Sequence, residues 1–117
     1  MLPMAKKRYH LTATCFDRKG RPIGSGVNDY SRSHPLMKHF ALLAGEPEEK
    51  IYRHAELSAV LDAGNKDVYS ILVQRFDAEG NPANARPCRT CQRMLQAYGV
   101  KQIRYTTSDG VKLEISK

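Results

Sequence analysis

Apolar and polar residues alternate over two short segments near the start of the chain, with a turn between them. Arg8–Phe16 alternates in part and is rich in Tyr, Thr, Leu and Cys, which predicts a strand. Asp17–Gly20 has the composition of a turn, and Pro22–Asn28 predicts a second, glycine-containing strand. Because the connection is so short, the two strands are expected to form an antiparallel hairpin.

Apolar residues at helical spacing predict three helices further along the chain. The segment Ser31–Ser33 is interpreted as the start of the first, with Ser33 as N-cap, Pro35 in the first turn and Gly45 at the end. A polar connection, Glu46–Arg53, follows this helix. The other two helices are predicted over Ala55–Ala63 and from Pro87 to Gly99.

Three more segments have the character of strands, and the lengths of their connections predict how they pair. Val68–Phe76 and Lys101–Thr106 are separated by the loop Asp77–Arg86 and a helix, which gives room for a right-handed crossover between parallel strands. Val111–Ile115 follows after only about four turn residues, and a parallel pair needs roughly a dozen. The last two strands should therefore pair antiparallel.

Together these elements predict an α/β fold in a single domain over residues 1–117. The expected architecture is a three-layer α/β/α sandwich with a mixed sheet of about five strands, whose last two strands form an antiparallel hairpin. The chain of 117 residues is long enough to bury a core without disulfides, and its hydrophobic fraction of 41% argues against disorder.

The composition also limits where the protein is expected to work. No apolar run approaches the roughly 18 to 20 residues of a membrane span, and no apolar segment follows the basic N-terminal residues as in a signal peptide. We therefore expect a cytoplasmic protein with no membrane partner. Three cysteines argue against a disulfide framework, and Cys15, in a strand-like apolar segment, is expected to be buried.

The net charge of +7 leaves two interpretations open. It is compatible with an anionic substrate, either a nucleotide phosphate or a nucleic acid. It is equally compatible with a solvated surface, because the basic residues are scattered and Lys6–Arg8 is their only run.

Two short motifs carry the candidate chemistry, and each lies at a predicted helix start. His54 and Glu56 open one helix, and Cys88 and Cys91 open another. One imidazole and two thiolates suit Zn²⁺, and three protein ligands leave a fourth position open, as catalytic zinc sites require. Helix N-termini also favour thiolates. Glu56 lies only two residues from His54, so it is expected to move protons rather than to bind the same metal.

The pattern His-x-Glu followed by Pro-Cys-x-x-Cys resembles the signature of the zinc deaminases of the cytidine deaminase superfamily. The resemblance implies one zinc ion per chain held by His54, Cys88 and Cys91, with Glu56 as the catalytic proton shuttle. It also implies substrate contacts from the backbone N–H of Ala55 and from Asn28, and a homo-oligomeric assembly.

The same residues are open to other interpretations. A lone Cys-x-x-Cys is also typical of a thiol–disulfide redox pair, but that reading explains neither His54 nor Glu56. A structural zinc site would need a fourth protein ligand, and no other histidine of this sequence stands at zinc-finger spacing. Asn28 could equally be a turn-forming residue at the end of a strand.

The substrate is less closely defined by the sequence. The short terminal hairpin resembles the branch that holds cytidine deaminases, whereas His54 stands where the common tetrameric members have Cys. We expect hydrolytic deamination of a small cytosine nucleoside or nucleotide to the uracil form, with release of ammonia. The alternatives are a cytosine or adenine deaminase acting on single-stranded DNA, RNA or tRNA, and a zinc-binding protein of the same fold without catalysis.

Overall fold

The computed structural model describes residues 10–33, 35–45, 52–64 and 66–115. Within these ranges the chain forms seven strands and three helices. In chain order they are β1 (His10–Phe16), β2 (Pro22–Val27), β3 (Asp29–Ser33), α1 (Pro35–Ala44), β4 (Tyr52–Arg53), α2 (Ala55–Ala63), β5 (Ser70–Phe76), α3 (Arg89–Ala97), β6 (Gln102–Thr107) and β7 (Gly110–Ile115).

A mixed five-stranded sheet forms the centre of the fold, with strand order β2-β1-β5-β6-β7. Only β5 and β6 run parallel, and α3 supplies the crossover between them. The N-terminal hairpin of β1 and β2 is antiparallel, and so is the C-terminal hairpin of β6 and β7. The predicted α/β class, the mixed sheet of five strands and the antiparallel last hairpin are confirmed.

One face of the sheet builds the core together with the helices. Ala13 and Cys15 of β1 pair in register with Val73 and Ile71 of β5, and all four side chains are buried. Buried side chains from all three helices join these residues in a single cluster, which includes Met37, Leu57 and Met94. The described residues therefore show one helical layer, packed on this face; the second layer of the predicted sandwich is not among them.

Helix α2 lies unusually close to the N-terminal hairpin because β2 carries glycines where the two meet. A Cβ atom on Gly24 would lie 2.5 Å from the Ala59 carbonyl oxygen, and one on Gly26 would lie 2.6 Å from the Ala59 nitrogen. The contact is with backbone atoms, which cannot rotate out of the way. The glycines are thus required for the position of α2, and α2 carries the first half of the predicted site.

The connection around the first helix differs from the prediction. Ser31–Ser33 is not the start of α1 but part of β3, which pairs antiparallel with β4. The last two residues of the predicted polar connection, Tyr52 and Arg53, form β4; residues 46–51 lie outside the described ranges. Pairing between segments distant in sequence overrides the local signal for a helix start.

The remaining differences are shifts at the ends of elements. Helix α3 begins at Arg89 instead of Pro87, and β5 begins at Ser70 instead of Val68. The first two residues predicted for β1, Arg8 and Tyr9, lie outside the described ranges. Among the residues that the structure describes, no helix has both the length and the apolar character that crossing a bilayer requires.

Candidate metal centre

Two helices begin at the site, and each follows a residue with metal-binding chemistry. His54 is the N-cap of α2 and Cys88 is the N-cap of α3, and neither side chain forms a capping hydrogen bond. Their carbonyl oxygens already accept the first helical bonds, from the N–H groups of Ser58 (3.1 Å) and Gln92 (2.8 Å). The imidazole of His54 instead lies next to the thiol of Cys88 from the other helix start.

The two cysteines share one side of the start of α3 because of their spacing. Cys91 is the third residue of α3, and the side chain at this position faces that of the N-cap residue, Cys88. The same geometry lets a capping box form in other helices. Here it brings two sulfur atoms together, and the side chain of Gln92 steadies the turn by donating to the Pro87 carbonyl oxygen (2.8 Å).

The donor atoms of His54, Cys88 and Cys91, which we call the donor cluster, fit a single metal ion. The Nδ1 atom of His54 lies 3.7 Å from the Sγ atom of Cys88 and 3.2 Å from that of Cys91. All three donor atoms lie within 4.8 Å of one another. Tetrahedral zinc bound to both kinds of atom would hold nitrogen and sulfur about 3.6 Å apart. The predicted metal ligands are thus brought together, and the cluster can hold one metal ion.

The two thiols divide their protons unequally. A hydrogen bond from Cys91 lowers the pKa of Cys88 to about 4, with a further contribution from His54. The same hydrogen bond, together with burial, raises the pKa of Cys91 well above its usual value. The two thiols are therefore coupled, and proton loss is easier from Cys88 than from Cys91. A metal ion bound by both sulfur atoms would displace the protons of both thiols, so metal binding is expected to release protons.

Glu56 is buried beside the donor cluster, with 4% of its surface exposed. Burial raises the pKa of its carboxyl group, and the nearby His54 opposes that shift in part. A carboxyl group in this environment can be protonated nearer to neutral pH than an exposed one, which is the property that a proton shuttle needs. Ala55 and Glu56 are the first two residues of α2, and both line the same cavity.

A small cavity of about 140 Å³ opens beside these groups. His54, Ala55, Glu56 and Cys88 line one side of it, and Asn28 lines another. This volume is below the range of roughly 300–1,000 Å³ that is common for small-molecule sites. The cavity therefore has room for a small group, while anything attached to that group would extend out of its mouth.

Asn28 follows β2, bonds to the first strand and lines the cavity. Its side-chain Oδ1 accepts a hydrogen bond from the N–H of Leu11 (3.0 Å), and its own N–H donates to the Leu11 carbonyl oxygen (3.2 Å). These bonds extend the pairing of β1 and β2 by one residue. The same residue lines the cavity, so its structural role does not exclude contact with a ligand.

The loop between β5 and α3 carries Cys88, and a buried threonine fixes it to the sheet. The hydroxyl of Thr106 donates to the carbonyl oxygen of Ala83 (2.8 Å) and accepts from the N–H of Arg75 (3.0 Å). The N–H of Ala85 donates to the Thr106 carbonyl oxygen (2.9 Å). The loop is therefore held at both strands before it reaches the donor cluster.

Three residues at the mouth of the cavity were not predicted from the sequence. Arg75, Asn84 and Arg86 line it together with the predicted site residues. Asn84 and Arg86 lie within three residues of Pro87, so their proximity to the cysteine motif was a usable signal. Arg75 lies near the end of β5, and no local pattern distinguishes it from other arginines in the chain.

The larger groove of the molecule lies elsewhere and lacks such chemistry. A groove of about 590 Å³ at the other end of β1 is lined by residues that include Arg18, Arg21, Ile23 and Lys66. It contains none of the donor cluster, and the ion pair of Asp17 with Arg21 (2.9 Å) already satisfies part of its charge. The third cysteine, Cys15, is also separate from the cluster; it is buried as predicted, and burial raises its pKa to about 12.

Comparison with known proteins assigns no family to the chain. No protein-family model matches it, and a search of curated proteins found no significant match. The arrangement of His54, Cys88 and Cys91 is compatible with a zinc deaminase but not specific to one.

Proposed function

We propose that this protein is a zinc-dependent deaminase that converts a cytosine nucleoside or nucleotide to the uracil form and releases ammonia. The observation that carries the proposal is the position of Glu56. The buried carboxyl group of Glu56 lies beside the donor cluster, and Glu56 lines the same cavity as His54 and Cys88. A closed structural site would have four protein ligands and no use for a neighbouring proton carrier.

The donor set fits zinc better than other common metals. Sulfur and imidazole ligands in a compact cluster are typical of zinc, whereas calcium and magnesium prefer oxygen. His54, Cys88 and Cys91 would hold the ion. A zinc ion bound there would supply a Lewis acid that makes water a usable nucleophile near neutral pH.

Glu56 would carry the two protons that the reaction must move. Its carboxylate takes one proton from the attacking water and delivers it to ring nitrogen N3, while the water oxygen bonds to C4. It then takes the second proton from the new hydroxyl group and delivers it to the amine, which leaves as ammonia when the C4–N bond breaks. The product keeps the proton on N3 and the oxygen on C4, so one water molecule is consumed for each ammonia released.

Ala55 and Asn28 would orient the base. The first N–H groups of a helix have no partner within the helix, and Ala55 is the first residue of α2. Its N–H can donate to the carbonyl oxygen of a pyrimidine. Asn28 lies on the cavity wall, where it can contact the base or the sugar. The small volume of the cavity favours a pyrimidine over a purine base.

The proposal is tested by incubating zinc-loaded protein with cytosine, cytidine, deoxycytidine, their 5′-monophosphates, adenosine and a single-stranded oligonucleotide. Ultraviolet absorbance and mass spectrometry follow the replacement of amine by oxygen. We expect conversion of at least one free cytosine compound, and none by the Glu56→Gln variant. If no compound is converted by fully zinc-loaded protein, the proposed reaction is wrong. Conversion of the oligonucleotide or of adenosine alone would overturn the proposed substrate.

A further inference from the structure

The mouth of the cavity carries two arginines and an amide, which we call the rim: Arg75, Asn84 and Arg86. The rim has no part in the deamination chemistry described above. Two guanidinium groups lie on it, and the carboxylate that lines the same cavity, Glu56, is buried on the floor among the metal donors. The rim is therefore the positively charged part of the cavity surface.

The structure holds each member of the rim in place. Arg75 donates from Nη1 to the Asn84 carbonyl oxygen (3.2 Å). The side-chain Oδ1 of Asn84 accepts a hydrogen bond from the backbone N–H of Arg86 (3.1 Å), a local turn typical of asparagine. The three residues are therefore linked to one another, and a ligand would meet groups that are already positioned.

Residues of the C-terminal hairpin orient the guanidinium of Arg86. Its Nε atom donates to Oε1 of Glu114 (2.8 Å), and the hydroxyl of Tyr105 donates to the same oxygen (3.0 Å). Because Glu114 is bound through one edge of Arg86, the guanidinium is restrained without being enclosed; the side chain of Arg86 keeps 53% of its surface exposed. A planar guanidinium held in this way is well suited to bind a phosphate through two parallel hydrogen bonds.

The size of the cavity indicates where a phosphate would lie. About 140 Å³ accommodates a small ring but not a ring with its sugar and phosphate. A substrate whose base lies against His54 and Glu56 must therefore extend its remaining groups past the mouth. The rim is the part of the protein that those groups would meet first.

We propose that the rim recognises the phosphate of a nucleoside monophosphate, with Arg75 and Arg86 as the residues that favour the nucleotide over the nucleoside. This inference rests on the proposed function for the placement of the base. A polynucleotide is the less favoured ligand, because its binding sites combine basic residues with stacked aromatic side chains, and the rim contains no aromatic residue.

The test uses the reaction products, so binding is measured without turnover. Calorimetric titration of zinc-loaded protein with uridine and with uridine 5′-monophosphate gives the ratio of their dissociation constants. We expect the nucleotide to bind about tenfold to hundredfold more tightly, the gain expected from hydrogen bonds to charged groups. Inorganic phosphate should compete with the nucleotide more strongly than with uridine.

Single substitutions test whether Arg75 and Arg86 cause the preference for the nucleotide over the nucleoside. Arg75→Gln and Arg86→Gln should each lower the ratio about tenfold, and Arg75→Lys, which keeps the charge but loses the planar fork, should lower it less. The matched control is Arg104→Gln, which removes the same charge from an exposed position on β6 that does not line the cavity. It should leave the ratio unchanged. Zinc content and thermal unfolding of each variant report whether the loop remains folded.

Several results would overturn this inference. They are equal binding of nucleotide and nucleoside, no detectable binding of either, a preference that survives both arginine substitutions in folded protein, and tight, strongly salt-dependent binding of an oligonucleotide alone. Conversion assays on the same preparations separate the two proposals. An arginine-dependent nucleotide preference without any deamination would retain the rim and reject the reaction, whereas deamination without that preference would do the reverse.

Discussion

The floor and the rim of the cavity are built in opposite ways. On the floor, His54 and Glu56 are buried at the start of α2, and the equally buried Cys91 of α3 belongs to the same donor cluster. On the rim, Arg86 is exposed and Arg75 is held by a loop carbonyl. The floor has charges that need a metal or a proton to balance them, whereas the Arg86 charge on the rim is exposed and already paired with Glu114. In the functions proposed above, the floor would perform the reaction and the rim would select the substrate.

The largest effect should follow from removing one of the three predicted metal ligands of the donor cluster. Cys91→Ser should reduce bound zinc from about one ion per chain to a small fraction, because the thiolate is a much better zinc ligand than a hydroxyl. Loss of bound metal also removes its contribution to stability, about 2.7 kcal/mol when free zinc is at 100 times its Kd. Metal analysis and thermal unfolding measure both effects.

Cys15→Ala is the control for this experiment. Cys15 is equally buried but lies within the sheet, so the variant should lose some packing and keep its zinc. Equal zinc content in wild-type protein and Cys91→Ser would show that the donor cluster is not the metal site.

Glu56→Gln should separate metal binding from proton transfer within the floor. The amide has the same shape as the carboxyl group but cannot carry a proton, so we expect turnover to fall by at least about 10² to 10⁴ while zinc content stays the same. Steady-state kinetics and metal analysis on one preparation measure both. Activity close to that of the wild type would exclude Glu56 as the shuttle.

Gly26→Ala tests whether the close approach of α2 to β2 supports the floor. The added Cβ would lie 2.6 Å from the Ala59 nitrogen, so α2 must move. We expect a loss of about 1–3 kcal/mol in the free energy of unfolding and a weaker affinity for zinc, because His54 moves with the helix. Chemical denaturation and chelator competition provide the measurements.

Ser25→Ala, at the exposed residue between the two glycines, is the matched control and should change either quantity little. The bond from the Ser25 N–H to Asp62 (3.0 Å) uses the backbone and survives this substitution. If Gly26→Ala were as stable as this control, the glycines would not be what sets the position of α2.

The smallest effect should come from the ion pair that supports the rim. The hydrogen bond from Arg86 lowers the pKa of Glu114 in the folded protein. The stabilisation is therefore present above the unfolded-state pKa, about 4.3, and is lost as the pH falls through the lower folded-state value. For an exposed pair it amounts to about 0.2–1 kcal/mol.

Unfolding of Glu114→Gln across this pH range checks the sign. The variant should be slightly less stable than the wild type at neutral pH, and the difference should shrink as the pH falls below about 4. Glu79→Gln, in the exposed turn after β5, is the matched control for the removal of one carboxylate from the surface. A difference between Glu114→Gln and wild type that grows on acidification would contradict the assigned ion pair.

The floor could be predicted from the sequence because its geometry is local. Cys88 and Cys91 share a side of α3 through their three-residue spacing, and the parallel pairing of β5 and β6 followed from the length of the segment between them. Spacing alone does not predict that the starts of α2 and α3 lie next to each other. The resemblance of the two motifs to those of the zinc deaminases predicts it, and the structure confirms that the three donors come together.

The rim and the two-stranded sheet of β3 and β4 could not be predicted in the same way. Strands β3 and β4 pair across a long stretch of chain, and β4 has only two residues, too few for a pattern. Arg75 reaches the cavity because of how the loop before α3 folds back over β5, where the Ala83 N–H donates to the Arg75 carbonyl oxygen (2.9 Å). Such contacts depend on tertiary packing, which a local sequence pattern does not encode.

X-ray absorption spectroscopy at the zinc edge is the decisive test of the proposed open zinc site of His54, Cys88 and Cys91. We expect one zinc per chain with two sulfur neighbours at about 2.3 Å and two lighter neighbours at about 2.0–2.1 Å. One lighter neighbour is the His54 nitrogen, and the other occupies the open position. Three or four sulfur neighbours, or protein that retains no zinc, would contradict it.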